Sequence, residues 1–152
     1  MKKTYLLIIC IMLIIIIIIC ANILYNQNLN QNTQNYNNSY LEYLNKNIYG
    51  TDIITLINKA IDNNIKNNIE KNEKGLYQDD EKNSVIIEIV FIIDEEKHTT
   101  KTYRMENIEK AGISEFISNF DTAVFKSSNV EYHKQTGKIS KITFEQLESI
   151  SF

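Results

Sequence analysis

Proline and tryptophan are absent from these 152 residues, glycine and alanine occur four times each, and there are only two cysteines. Each shortage removes a class of chemistry. Four glycines leave little room for a phosphate-cradling loop or for the Gly-x-Ser-x-Gly turn of a serine hydrolase. Cys10 and Cys20 both fall inside one apolar run, so the rest of the chain has no disulfide, no thiol nucleophile and no cysteine-based metal site. Positive charge is also scarce. With Lys2 and Lys3 set aside, 14 basic residues face 19 acidic ones, a net charge of −5. Nucleic acid is therefore not an expected partner, because phosphate binding needs a basic patch.

Isoleucine and asparagine fill the space, with 28 and 20 copies. This usage is the mark of a strongly AT-rich genome. Isoleucine then serves as the default apolar residue, so its strand preference is discounted and spacing carries the argument.

From Leu6 to Ala21 there are sixteen consecutive apolar residues, twelve of them Leu or Ile. Those twelve favour membrane insertion by about 5 kcal/mol. Asn22 interrupts, and Ile23, Leu24 and Tyr25 extend the run. A helix from Tyr5 to Tyr25 rises about 31 Å, close to the roughly 30 Å of a hydrocarbon core. Tyr5 and Tyr25 stand at its two ends, where aromatic rings prefer the interface. Lys2 and Lys3 precede the span, and no positive residue follows until Lys46. The positive-inside rule then places the N-terminus in the cytoplasm and everything after Tyr25 outside the cell membrane. A cleaved signal peptide fits less well, because Ile19 breaks the small-x-small pattern before Ala21. A lipoprotein signal ending at Cys20 fits the position but not the flanking Ile17-Ile18-Ile19, which lacks a small residue.

The organisation that follows is a stub and transmembrane helix (1–25), a spacer with a short helix (26–49) and an extracytoplasmic domain (50–152). Asn26–Asn38 holds ten Asn or Gln in thirteen residues and is expected to act as a polar spacer, being a poor helix former. Tyr36, Tyr40, Tyr43, Leu44 and Ile48 recur at helical steps, predicting a short helix that stops at Gly50. Thr51 is the expected N-cap of the next helix, with Asp52 at its positive end. Ile53, Ile54, Ile57, Ala60, Ile61 and Ile65 form its apolar stripe, with a polar loop following to Glu81.

Ser84–Asp94 alternates as a strand, and its apolar content predicts an interior position in a sheet. Asp94-Glu95-Glu96-Lys97 reads as a turn and Thr99–Met105 as the return strand. After Gly112, the spacing of Ile113, Phe116, Ile117 and Phe120 predicts a second helix. Val130–Lys134 and Lys138–Phe144 read as strands joined by Gln135-Thr136-Gly137, with glycine where positive φ is needed. The predicted class is α+β: an antiparallel sheet of about four strands with two helices against one face.

Tyr49-Gly50-Thr51-Asp52-Ile53-Ile54 with Ile57, and Val130-Glu131-Tyr132 through Thr136-Gly137-Lys138-Ile139 to Ile142 and Phe144, resemble small single-pass proteins of low-GC Gram-positive bacteria, some of them pilin-like or secretion-associated. The resemblance covers about a third of the chain and rests on structural punctuation, so it implies an architecture and no chemistry. The type IV pilin pattern itself is not met. Lys3-Thr4 precedes the run where a pilin has its cleavage-site glycine, and no glutamate interrupts Leu6–Ala21.

No catalytic, cofactor-binding or metal-binding residue is assigned. His98 and His133 have no metal-pair spacing, and His133, alternating with Tyr132, is expected to face solvent. The acidic runs Asp79-Asp80-Glu81 and Asp94-Glu95-Glu96 lack the spacing and glycine of a calcium loop and are read as solvated loops. The tyrosines at 36, 40, 43 and 49 are read as packing on the domain's own core in preference to facing a partner. The expected role is that of a non-enzymatic envelope protein that touches membrane lipid through residues 5–25 and binds or assembles with another envelope protein. A membrane-tethered enzyme and a lipoprotein that captures a small ligand are the alternatives.

Overall fold

The computed structural model describes residues 2–94 and 99–147. The chain divides into two compact units, Met1–Asn35 and Tyr36–Phe152.

The described residues of the first unit are helical and lie within helix α1 (Lys2–Leu41). Among the described residues this is the one helix long and apolar enough to cross a membrane. Its apolar side chains from Leu7 to Leu24 are exposed, with none of them packed into a core. Asn22, the polar interruption, turns its side-chain Nδ2 back to the Ile18 carbonyl at 3.0 Å. That bond satisfies part of the amide within the helix itself. The Asn/Gln tract is helical as well, which differs from the expected irregular spacer. Asparagine costs only about 0.7 kcal/mol relative to alanine, and extending a helix that already exists adds one hydrogen bond per residue without a new nucleus.

The second unit is α+β, and its sheet has five strands where four were expected. They are β1 (Asn47–Tyr49), β2 (Ile86–Asp94), β3 (Thr99–Arg104), β4 (Val124–Tyr132) and β5 (Ile139–Gln146), in the spatial order β1-β4-β5-β2-β3. The two expected hairpins are present, β2 with β3 and β4 with β5, but β4 starts at Val124, six residues before the expected Val130, and ends at Tyr132, short of Lys134. The sheet is mixed, however, because β2 and β5 pair in parallel, Ile87 opposite Ile142 and Ile89 opposite Phe144.

The connection between the two hairpins also holds one more helix than expected. Two helices, α3 (Met105–Ala111) and α4 (Ile113–Phe120), separate β3 from β4. Together they carry the chain back along the sheet, so β4 runs in the same direction as β3, and β5 then returns parallel to β2. A crossover of this kind needs a dozen or more residues, and the segment between Arg104 and Val124 supplies them.

β1 is the fifth strand. The expected helix from Tyr36 stops at Leu41, Asn45 adopts φ 60°, and Ile48 then pairs with Phe125 of β4. Helix α2 (Gly50–Lys66) follows directly. Its N-cap is Tyr49, two residues before the expected Thr51, and the Tyr49 backbone N–H donates to Asp52 Oδ2 at 3.0 Å. Gly50 sits there because of crowding: a Cβ built on it would lie 1.9 Å from the Phe120 carbonyl oxygen.

α2 buries Ile53, Leu56, Ile57, Ala60 and Asn64, whereas Ile65, expected on the stripe, is 60% exposed. Opposite it lie Ile87, Ile89 and Phe91 of β2, Phe125 of β4, and Ile142 and Phe144 of β5, all buried. β2 occupies an interior position between β5 and β3, as its composition predicted. Phe91 ties α4 to the sheet, with ring centroids 4.7 Å from Phe120, 5.9 Å from Phe116 and 5.6 Å from Tyr103.

Candidate functional site

Three places on the second unit bring side chains together: an acidic loop under the β4–β5 hairpin, a tyrosine cluster beside α2, and an aromatic cleft at α3–α4.

The acidic loop is more ordered than a solvated run would be. Asp80 Oδ1 accepts three backbone N–H groups, from Lys82 at 3.1 Å, Asn83 at 2.7 Å and Ser84 at 2.7 Å. Burial pushes the Asp80 carboxyl up, but the Asn83, Ser84 and Lys82 amides and the Ser84 side chain outweigh it and hold the group below its ordinary value. Asp79 Oδ1 accepts the Glu81 N–H at 2.9 Å and the Ser84 hydroxyl at 3.0 Å.

The hairpin closes over this loop. Thr136 Oγ1 donates to the Lys82 carbonyl at 2.9 Å, and Lys138 Nζ donates to Asn83 Oδ1 at 2.7 Å. Gly137 takes φ 66° in the turn, the positive φ foreseen for it.

His133 corrects the sequence reading. It is 4% exposed, not solvent-facing. His133 follows the last residue of β4, and its backbone N–H closes the hairpin on the Lys138 carbonyl at 2.8 Å, so strand alternation no longer sets its direction. The imidazole turns in toward the loop. Its Nε2 lies 2.8 Å from the Ser84 carbonyl and its Nδ1 lies 3.5 Å from Asp79 Oδ1. One ring nitrogen of His133 and one carboxylate oxygen each from Asp79 and Asp80 lie within 4.8 Å of one another. A hollow of about 530 Å³ opens beside them, bordered by Asp79, Glu81, Glu131, Lys134 and Ser140. His98 and the Glu95-Glu96-Lys97 turn lie outside the described residues.

The tyrosines divide. Tyr40 is fully buried and Tyr36 and Tyr43 pack on the core, whereas Tyr49 is exposed. Lys59 reaches this cluster from α2, with its ammonium donating to the Ser39 carbonyl and sitting 4.9 Å from the Tyr40 ring. Burial lowers the Lys59 pKa, with Glu42 opposing that shift. Three of the four tyrosines are accounted for by packing.

The aromatic cleft encloses about 250 Å³ between α3–α4 and β2–β3, with Phe91, Phe116, Phe120 and Tyr103 along its wall and Asn107, Glu115 and Asn119 at its rim. Ile93 and Ile117 are exposed apolar residues on these same elements.

No family model, no curated protein and no solved structure matches this chain.

Proposed function

We propose that the chain is a membrane-anchored envelope protein whose outer domain binds or assembles with another protein and performs no catalysis. The carrying observation is the first unit: a helix whose side chains from Leu7 to Leu24 are exposed and, Asn22 apart, apolar is disfavoured in water. Lys2 and Lys3 before it favour a cytoplasmic N-terminus. On the second unit, the exposed Tyr49, Ile93 and Tyr132 supply apolar contact area of the kind interfaces use.

The test is fractionation joined to protease treatment of intact cells. The expected result is full-length protein in the membrane fraction, cut after Tyr25 by external protease. Full-length chain in the soluble fraction, without detergent and with its first 25 residues intact, would overturn the reading. Labelling with a tagged fatty acid separates a helical anchor from a lipid one: uptake that disappears on Cys20→Ser makes Cys20 the anchor. Partner capture from detergent-solubilised membranes then tests the assembly role.

One observation favours a second reading, a membrane-tethered enzyme. The hollow at His133 is concave and gathers polar groups, the form a reaction site takes. If Asp79→Asn removed the chain's cellular role while partner capture persisted, this reading would replace the first.

A further inference from the structure

We propose that Asp79, Asp80 and His133 bind a divalent transition-metal ion of the zinc type at the mouth of the hollow beneath the β4–β5 hairpin.

The argument begins with the histidine. A backbone carbonyl can only accept, so the 2.8 Å contact with the Ser84 oxygen requires a proton on Nε2. In neutral imidazole that leaves a lone pair on Nδ1. Nδ1 faces the Asp79 carboxylate oxygen 3.5 Å away, an ion-pair distance if the ring carries a second proton. Two electron-rich atoms facing each other at a buried ring repel unless a positive charge lies between or on them. A metal ion meets that requirement. The arrangement is also the one that metal-bound histidines adopt, one ring nitrogen on the ion and the other N–H held by a carbonyl or carboxylate.

The ligand set points to the class of ion. One imidazole nitrogen with two carboxylates suits zinc and its transition-metal neighbours better than calcium or magnesium, which prefer oxygen alone. Three protein ligands leave an open position, and it faces the hollow, where Glu81 and Glu131 outnumber Lys134. The present spread of 4.8 Å exceeds the roughly 3.4 Å between ligands around a tetrahedral zinc. Binding therefore requires the aspartates to move inward by about 1 Å. Asp79 and Asp80 are both exposed, and the movement draws on the loop bonds held by their Oδ1 atoms, a cost that ion binding must outweigh.

The rival occupant is a proton. Imidazolium would satisfy the same geometry as an ion pair with Asp79 and would bind no metal.

The experiment uses the full chain in detergent micelles with Cys10 and Cys20 replaced by serine, freed of metal by chelator and titrated calorimetrically with zinc chloride at pH 7.5. Binding of one zinc per chain is expected, with magnesium chloride giving no comparable heat. Asp79→Asn should weaken that binding by about tenfold or more. This variant keeps an oxygen for the Glu81 and Ser84 donors, so it tests the site without removing the loop's bonds. His133→Gln, which retains a donor for the Ser84 carbonyl and lacks Nδ1, should abolish the same site. Failure of the parent to take up zinc would overturn the proposal in favour of the ion pair, as would Asp79→Asn binding as tightly as the parent. The outcome is independent of the membrane reading, since a soluble chain would give the same titration.

Discussion

The side chain of Asn64 acts as a strand partner for Val85: its Oδ1 accepts the Val85 N–H at 2.8 Å and its Nδ2 donates to the Val85 carbonyl at 2.7 Å. Both residues are fully buried. The backbone just before β2 thus finds on a helix the pair of bonds a neighbouring strand would give. Asn64→Ala would leave a buried N–H and a buried C=O unpaired, each costing about 1–3 kcal/mol. A loss of about 2–4 kcal/mol is expected in urea unfolding of the full chain in detergent, and Asn64→Asp, which keeps only the acceptor, should also destabilise.

Gly50→Ala tests the crowded start of α2. The added methyl would meet the Phe120 carbonyl at 1.9 Å, which is backbone and cannot rotate away. The helix and the α4–β4 turn must then part. A loss of about 1–3 kcal/mol is expected, against the slight gain that alanine normally gives in a helix.

Arg104 and Glu106 form a partly buried pair around Tyr77. Arg104 Nη2 donates to Glu106 Oε1 and to the Tyr77 carbonyl, both at 2.9 Å, and Glu106 Oε1 accepts the Tyr77 N–H at 2.8 Å. The Glu106 side chain is only 4% exposed. Arg104→Ala would strand that carboxylate, at a cost of up to about 3–5 kcal/mol. Replacing both residues should cost less than the sum of the single changes, which a double-mutant cycle in urea would measure.

Asp80 makes stability depend on acid. Its folded pKa lies below the unfolded value of 3.8, so its contribution is fully present above that value and disappears as pH falls through the folded one. The acid limb of the stability curve should flatten in Asp80→Asn. The effect at neutral pH should be small, about 1 kcal/mol or less, because the residue is exposed and solvent screens it.

Two lysines inside the apolar run should release the chain from the bilayer. Ile15→Lys with Ile16→Lys adds about 5–7 kcal/mol of insertion cost, enough to cancel the roughly 5 kcal/mol supplied by the leucines and isoleucines. Carbonate extraction of membranes would show the variant shifting to the soluble fraction, whereas a chain never inserted would behave the same with and without the lysines.

Periodicity made α2, α4, β2 and both hairpins legible, because each presents a repeating apolar face. β1 has no such face. Asn47-Ile48-Tyr49 is a strand only because β4 lies alongside, and its pairing is a tertiary fact. α3 begins without a sequence signal: Arg104 is its extended N-cap, and its backbone N–H donates to Asn107 Oδ1 at 3.1 Å. The parallel pairing of β2 with β5 is likewise a tertiary fact that no local pattern carries. The His133 cluster was hidden for a related reason. Strict alternation points the ring to solvent, but β4 ends at Tyr132, and the turn that carries His133 beyond it depends on pairing with β5. A histidine next to a compact glycine turn, together with an acidic triplet elsewhere, was the only hint available.

The parallel pair sets a schedule for the growing chain. Ile86 meets Lys141, 55 positions later. At about 5–20 residues per second, a ribosome needs roughly 3–10 s to supply that mate. Throughout that interval the isoleucine-rich β2 has one bare flank able to join a copy of itself. A premature stop between β3 and β5 would make the exposure permanent, and such fragments should clump where the finished protein does not.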